Sequence, residues 1–297
     1  MWVSYKNGNY MVHFNTKNGT KIRETEEDNF VPSFAENMDV KITDRCDGGC
    51  EYCYEGCTAQ GKHADLMNAK WVDTLHPYTE LAINGNDLTH PQLVPFLKKL
   101  QKKNIITNMT VNQVHFEKHK SFIHSLVDHE LIHGVGISLR KVTPQFINSV
   151  KEFPTAVIHV INGVCTPIDF MELAGNDLTI LILGYKNLRR GVGYLNDHIQ
   201  EVVRIQSWTY DNLATILKGF RTVSFDNLAL GQLNVKNHLS DEQWEEFFMG
   251  NDGAYTYYID MVGNTFSRNS LSTERFPIMD DSQKMFDFIR DKYNLRG

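Results

Sequence analysis

Between residues 38 and 186 short β-rich segments alternate with helical ones, and no other feature constrains the fold of this chain as much. The apolar segments "DVKIT", "ELAIN", "NMTVN", "HGVGISL", "TAVIHVI" and "LTILIL" have strand length and strand composition. Between them lie "HPQLVPFLKKLQKKN", "FEKHKSFIHSLVDHE" and "TPQFINSVKEF", whose apolar residues recur at three-and-four spacing. Pro91, Pro144 and Pro167 stand where a first helical turn opens, the last two after a threonine able to cap it. Strand and helix in alternation demand a parallel sheet with right-handed crossovers. Six such units are clear and "TVSFDNLAL" supplies a seventh strand, which predicts a partial TIM-like barrel of the (β/α)6 kind over residues 38–230.

The flanks read differently. "WVSYK-NGN-YMVHFN-TKNG-TKI" alternates polar and apolar residues around Gly8 and Gly19, so residues 1–37 are expected to hold an antiparallel meander and an acidic linker. From residue 231 the pattern changes again. Ser240 and Gln243 form a capping-box signature, "AYTYYIDMVGNTFSRNS" reads as a hairpin turning at Gly263-Asn264, and "SQKMFDFIRDKY" as a last amphipathic helix. Residues 231–297 have too little mass for a core of their own. They are expected to form a small α+β cap on the barrel.

Four of the five cysteines lie in "RCDGGCEYCYEGC", just after the first barrel strand. In an α/β barrel the loops after the strands build the active site. Cys46, Cys50 and Cys53 form C-x3-C-x2-C, and Gly48 and Gly49 let the backbone turn closely around a bulky group. Three thiolates on a four-iron cubane leave one iron open for a ligand, whereas a fully ligated cluster only passes electrons. Two other readings use Cys57. With it the run is a four-thiol zinc site, although structural zinc normally joins two separated knuckles. Alternatively Cys57 closes the cluster and makes a non-catalytic electron carrier or a metal-stabilised binding module.

The arrangement Cys46, Cys50, Tyr52, Cys53 resembles the C-x3-C-x-aromatic-C signature of the radical S-adenosylmethionine (SAM) superfamily. The resemblance spans roughly residues 38–186. It implies a [4Fe–4S] cluster on Cys46, Cys50 and Cys53, with Cys57 outside the ligand set. It implies SAM chelated to the open iron and cleaved reductively to methionine and a 5′-deoxyadenosyl radical, which abstracts hydrogen from a substrate. It also implies a reductant protein such as a flavodoxin or ferredoxin. The backbone beside Tyr52 is expected at the adenine. Asn84, Gly85 and Asn86 occupy the place of a Gly-Gly-Glu-like stretch that serves the methionine amino group, and one glycine matches. By the same resemblance Ser138 serves the ribose or carboxylate of SAM, and Arg140 pairs with the carboxylate. Asn162 lies in a fifth-strand motif near the adenine, with Tyr185 beside it. His159, inside an apolar strand, reads as a core or barrel-lining histidine. Asp226, Asn227 and Asp260 stand at strand ends or in solvated turns.

Composition narrows the substrate. A formal charge of −6 argues against a broad nucleic-acid face and leaves a peptide, a protein or a small metabolite. No apolar run is long enough to span a bilayer and the first residues carry no secretory apolar region, so a cytoplasmic protein is expected. After Cys57 only Cys165 remains, which leaves too few thiols for an auxiliary cluster.

Overall fold

The computed structural model describes residues 1–84 and 88–295. Its first element is a three-stranded antiparallel sheet of β1 (Trp2–Asn7), β2 (Tyr10–Asn15) and β3 (Lys21–Glu24), the meander expected from the alternation. Gly8 turns between β1 and β2 at φ +64°, where a Cβ would lie 1.8 Å from the Val31 carbonyl oxygen, so no other residue fits. Tyr10, Val12 and Phe14 point to one side and bury a small core with Ile106. That contact fastens the meander to the rest of the chain.

The second sheet has ten strands. Seven follow one another in the chain: β4 (Asn37–Lys41), β5 (Glu80–Asn84), β6 (Ile106–Asn112), β7 (Gly134–Ser138), β8 (Ala156–Ile161), β9 (Thr179–Leu183) and β10 (Thr222–Phe225). They pair in parallel in chain order, β10-β9-β8-β7-β6-β5-β4. The sheet continues past β4 through β11 (Thr256–Asp260), β12 (Thr265–Ser267) and β13 (Phe276–Pro277). β11 runs parallel to β4 with Lys41 opposite Asp260, and β12 and β13 are antiparallel. The C-terminal segment is therefore woven into the sheet beside its first strand.

Sequential parallel order has a consequence for the faces. With every crossover right-handed, all the connecting helices fall on the same side. Val40, Ile83, Met109, Val111, Ile137, Ile158 and Ile180 point to that side and pack against Phe96, Phe116, Phe146 and Phe170 of the helices. The alternate residues, Asp39, Ala82, Thr110, His159, Leu181 and Ser224, point the other way and stay partly or fully exposed. Parallel sheets are normally covered on both faces. This one keeps a polar, solvent-reached second face. Among the described residues the edge strands β10 and β13 do not pair with each other, so the strand pairing alone shows an open sheet.

Local signals account for most helix ends. Thr143 accepts a hydrogen bond from Phe146 N with Pro144 in the first turn, and Thr166 and Ser240 form capping boxes with Asp169 and Gln243. The segment 116–130, expected as one helix, is broken at His119 into Gln113–Lys118 and Lys120–Asp128. A 22-residue helix, Arg190–Asp211, kinked at His198, was not anticipated.

Candidate active site

β4 ends at Lys41, and the chain then leaves the sheet in the loop that carries the cysteines. The base of the loop is stapled by main-chain bonds: Asp44 N to Lys62 O (2.9 Å), Cys46 N to Thr58 O (2.8 Å) and Thr58 N to Asp44 O (3.0 Å). Beneath it sits the Lys41 ammonium, 2 % exposed. It lies 2.5 Å from Asp44 Oδ1, 2.9 Å from Glu55 Oε2 and 3.5 Å from Asp260 Oδ2. Burial opposes the charge on Lys41, but Glu55 and the bonds to Asp44 and Glu55 more than offset it, so its pKa lies above the ordinary lysine value. One cation thus ties both flanks of the cysteine run to β4 and β11.

Cys46, Cys50 and Cys53 are half-buried free thiols, while Cys57 is buried. Each of the three meets hydrogen-bond donors. Gly48 N donates to Cys46 Sγ at 3.3 Å, and a Cβ on Gly48 would stand 3.3 Å from that sulfur. Asn112 Nδ2 donates to Cys50 Sγ at 3.3 Å and Arg140 Nη1 to the same sulfur at 2.7 Å. Burial raises the Cys50 pKa and Arg140 works against that rise. Cys53 is pulled down to about 5, chiefly by a hydrogen bond from the Cys57 thiol and further by Arg190. Cys57 is raised as the donor of that same pair.

Among the described residues no three His, Cys, Asp or Glu side chains are gathered as ligands of a single metal ion would be. A cubane does not ask for that, because each thiolate binds a different iron. The donor set fits such a cluster: three soft sulfur ligands on one glycine-relaxed loop, each already facing a donor that stabilises charge on sulfur.

The strand ends were expected to turn polar around this loop. Asn84 ends β5, where its carbonyl accepts from Ile42 N at 3.0 Å; Gly85 and Asn86 lie outside the described residues. Ser138 ends β7 in register between Asn112 and His159. Arg140 folds back over the loop, donating also to Gly48 O at 3.3 Å and lying 6.0 Å from the Tyr52 ring. Asn162 is buried. Its Nδ2 donates to Gln232 Oε1 at 3.2 Å, and its Oδ1 is a buried acceptor with no donor. Tyr185 is buried with its hydroxyl on Gly191 O at 2.6 Å, and burial pushes its pKa up to about 12.

Sequence reasoning missed several neighbours. Tyr194, on the long helix Arg190–Asp211, packs edge-on to Tyr52 at 5.6 Å and stacks on Tyr185 at 6.4 Å. Arg190 of that helix donates to Cys57 O at 2.8 Å. On the open face Lys186 stands 4.2 Å from the Tyr54 ring centroid and 3.1 Å from Ser270 Oγ. Although this face is reached by solvent, desolvation by the surrounding protein raises Asp39 to about 6, tempered by Lys186, and lowers His159 to about 4, with Lys186 adding to the effect. His159 thus lines the open face. Asp226 caps the helix Asn227–Gln232, Asn227 binds Asp252 Oδ1 at 2.7 Å, and Asp260 holds both Lys41 and the hairpin turn.

Neither protein-family models nor curated protein sequences match this chain. Solved structures do. SuiB from Streptococcus suis bound to its precursor peptide SuiA superposes with a TM-score of 0.64 at 13 % identity, covering 100 % of this chain and 90 % of that one. SuiB bound to S-adenosylmethionine gives 0.60 at 11 % identity over 96 % and 86 %. The chain shares its fold with SuiB. At this identity the likeness speaks for the fold alone.

Proposed function

We propose that this chain is a radical SAM enzyme. Cys46, Cys50 and Cys53 would hold a [4Fe–4S] cluster, with SAM at the neighbouring strand ends. The observation that carries the reading is the C-x3-C-x2-C loop, whose three half-buried sulfurs face protein donors at the end of β4 in a fold shared with SuiB. A cluster bound there would supply the electron for reductive cleavage of the SAM sulfonium to methionine and a 5′-deoxyadenosyl radical. The chain's own part is to bind, orient and exclude water. Tyr52, Tyr185 and Tyr194 offer an aromatic wall for the adenine. Asn84, Gly85, Asn86, Ser138 and Asn162 offer polar groups for the rest of SAM, and the orphaned Asn162 Oδ1 is an acceptor in want of a donor.

We take the sequential sheet over 38–230 as a partial barrel whose lumen is the open polar face, flanked by the meander of 1–37 and the segment 231–297. Of the substrate classes open to the sequence, a peptide is favoured, since SuiB is known with a precursor peptide bound. A flavodoxin- or ferredoxin-like reductant and a cytoplasmic setting complete the proposal.

One experiment tests cofactor, open iron and reaction class together. The chain is reconstituted anaerobically with iron and sulfide, reduced with dithionite and given SAM, and the products are separated by chromatography. The expected product is 5′-deoxyadenosine. A reduced, iron-loaded protein that leaves SAM intact would refute the enzyme and favour an electron carrier.

A further inference from the structure

Arg140, expected to pair with a SAM carboxylate, makes its side-chain contacts with the cysteine loop. Its Nη1 donates to Cys50 Sγ at 2.7 Å and to Gly48 O at 3.3 Å. The side chain is aimed by its own backbone, since Arg140 N and Lys141 N both donate to Gln113 Oε1, at 2.8 and 2.9 Å. A second donor converges on the same sulfur: Asn112 Nδ2, at 3.3 Å. Asn112 is fixed in turn, because its Oδ1 accepts from Val114 N at 2.9 Å and caps the helix Gln113–Lys118. Asn112 and Ser138 are paired across β6 and β7, so the two donors approach from adjacent strand ends. Cys46, by contrast, takes the main-chain donor Gly48 N.

We propose that Arg140 and Asn112 are positioning residues for Cys50 that hold its sulfur in place and raise the reduction potential of the cluster it would ligate. The inference rests on the radical SAM reading for the cluster, but its first half, the grip on Cys50, does not. Donors to a ligating sulfur stabilise the more electron-rich reduced state, and a full positive charge does so more than a neutral amide. Charge near the cluster also acts at longer range than a hydrogen bond in a partly desolvated site. Arg140 should therefore contribute more to the potential than Asn112. Lysine in its place should keep part of the effect and lose the bridge to Gly48 O.

Two measurements test this. In the metal-free protein, alkylation of Cys50 is followed by peptide mass spectrometry, with Cys46 as internal reference, at a pH where both thiols are ionised so that the rate reads accessibility. Arg140→Gln should speed Cys50 several-fold relative to Cys46, because the side chain that holds its sulfur is gone, and Arg140→Lys should do so by less. Equal rates in the wild type and Arg140→Gln would overturn the grip on Cys50 whatever the function of the chain. In the reconstituted protein without SAM, the midpoint potential is read by spin resonance during a redox titration. Arg140→Gln should shift it downward, Arg140→Lys by less, and Asn112→Asp, which keeps the helix cap but replaces the donor with a carboxylate, downward as well. An unchanged potential in iron-replete Arg140→Gln would overturn the tuning role. A wild type that takes up no iron would sink the radical SAM reading instead, and the alkylation result would still decide the contact.

Discussion

Replacing Lys41 by methionine removes the buried cation shared by Asp44, Glu55 and Asp260 beneath the cysteine loop, and leaves Glu55 with the more exposed Arg189, at 3.4 Å. At an effective dielectric of 20, contacts of the observed lengths give attractions of roughly 6 kcal/mol to Glu55 and 5 kcal/mol to Asp260. Asp44 is 37 % exposed, so solvent screens its share and it adds little. Burying the ammonium and the two carboxylates cancels much of that gain, and removing one partner of a buried ion pair typically costs about 3–5 kcal/mol. We expect Lys41→Met to fall in that range, measured as the change in unfolding free energy in urea. The loss should be local as well as global, because the same carboxylates lie on the loop and on β11; iron uptake should fall with stability.

A double variant separates charge from packing. If the cost comes from carboxylates left without the buried ammonium, Glu55→Gln in the Lys41→Met background should recover about 1 kcal/mol or more, a coupling expected of groups in direct contact. A Lys41→Met cost below about 1 kcal/mol, or a double variant no better than the single one, would refute the electrostatic account of how this loop is held.

Three further outcomes are expected. Cys50→Ala should abolish iron binding on reconstitution while Cys57→Ala keeps it, since Cys57 is buried and engaged with Cys53; iron counts and visible absorption decide. Acid should weaken the fold through His159, whose folded pKa lies near 4 against 6.5 unfolded: stability is lost as pH falls from about 6.5 toward 4, by at most about 3 kcal/mol, and His159→Asn should flatten that limb of a stability–pH curve. Gly136→Ala should cost about 1–3 kcal/mol, because the added Cβ would sit 2.4 Å from His159 Cε1 and the ring must move; a melting temperature equal to the wild type would show that the ring is not confined there.

The parts legible in the sequence are those written in local periodicity. The β-branched segments at period two and the amphipathic stretches between them specify the seven consecutive parallel strands, and the turn glycines specify the meander. The cysteine loop is legible because its chemistry is a spacing. What was hidden depends on contacts distant in the chain. Nothing local in "AYTYYID" says that it will lie parallel to β4. The helix Arg190–Asp211 opens with Gly191 and Gly193 and buries few residues, Val202 and Ile205 among them, too sparse a stripe to announce 22 residues of helix. Arg190 and Tyr194 went unread with it. The donors to Cys50 lie 62 and 90 residues away, and no motif joins them to it.

The placement of β11 explains why the cysteine loop can be held from beneath at all. Without it β4 would be an edge strand, and a loop leaving an edge has protein on one side only. With β5 on one flank and β11 on the other, both parallel to β4, the strand end stands in the interior of the sheet. The register opposes Lys41 to Asp260, so the residue that closes β11 reaches the ammonium that closes β4. From the loop itself Glu55 comes back to the same ammonium and also takes the Tyr258 hydroxyl of β11, at 3.3 Å. Ser270, just past β12, meets Lys186 at the far side of the open face. The C-terminal segment therefore supports the floor of the cysteine loop and reaches a wall of the polar face at once. Sequential strand order left that face open, and strand pairing at the β4 edge brings the tail of the chain to it.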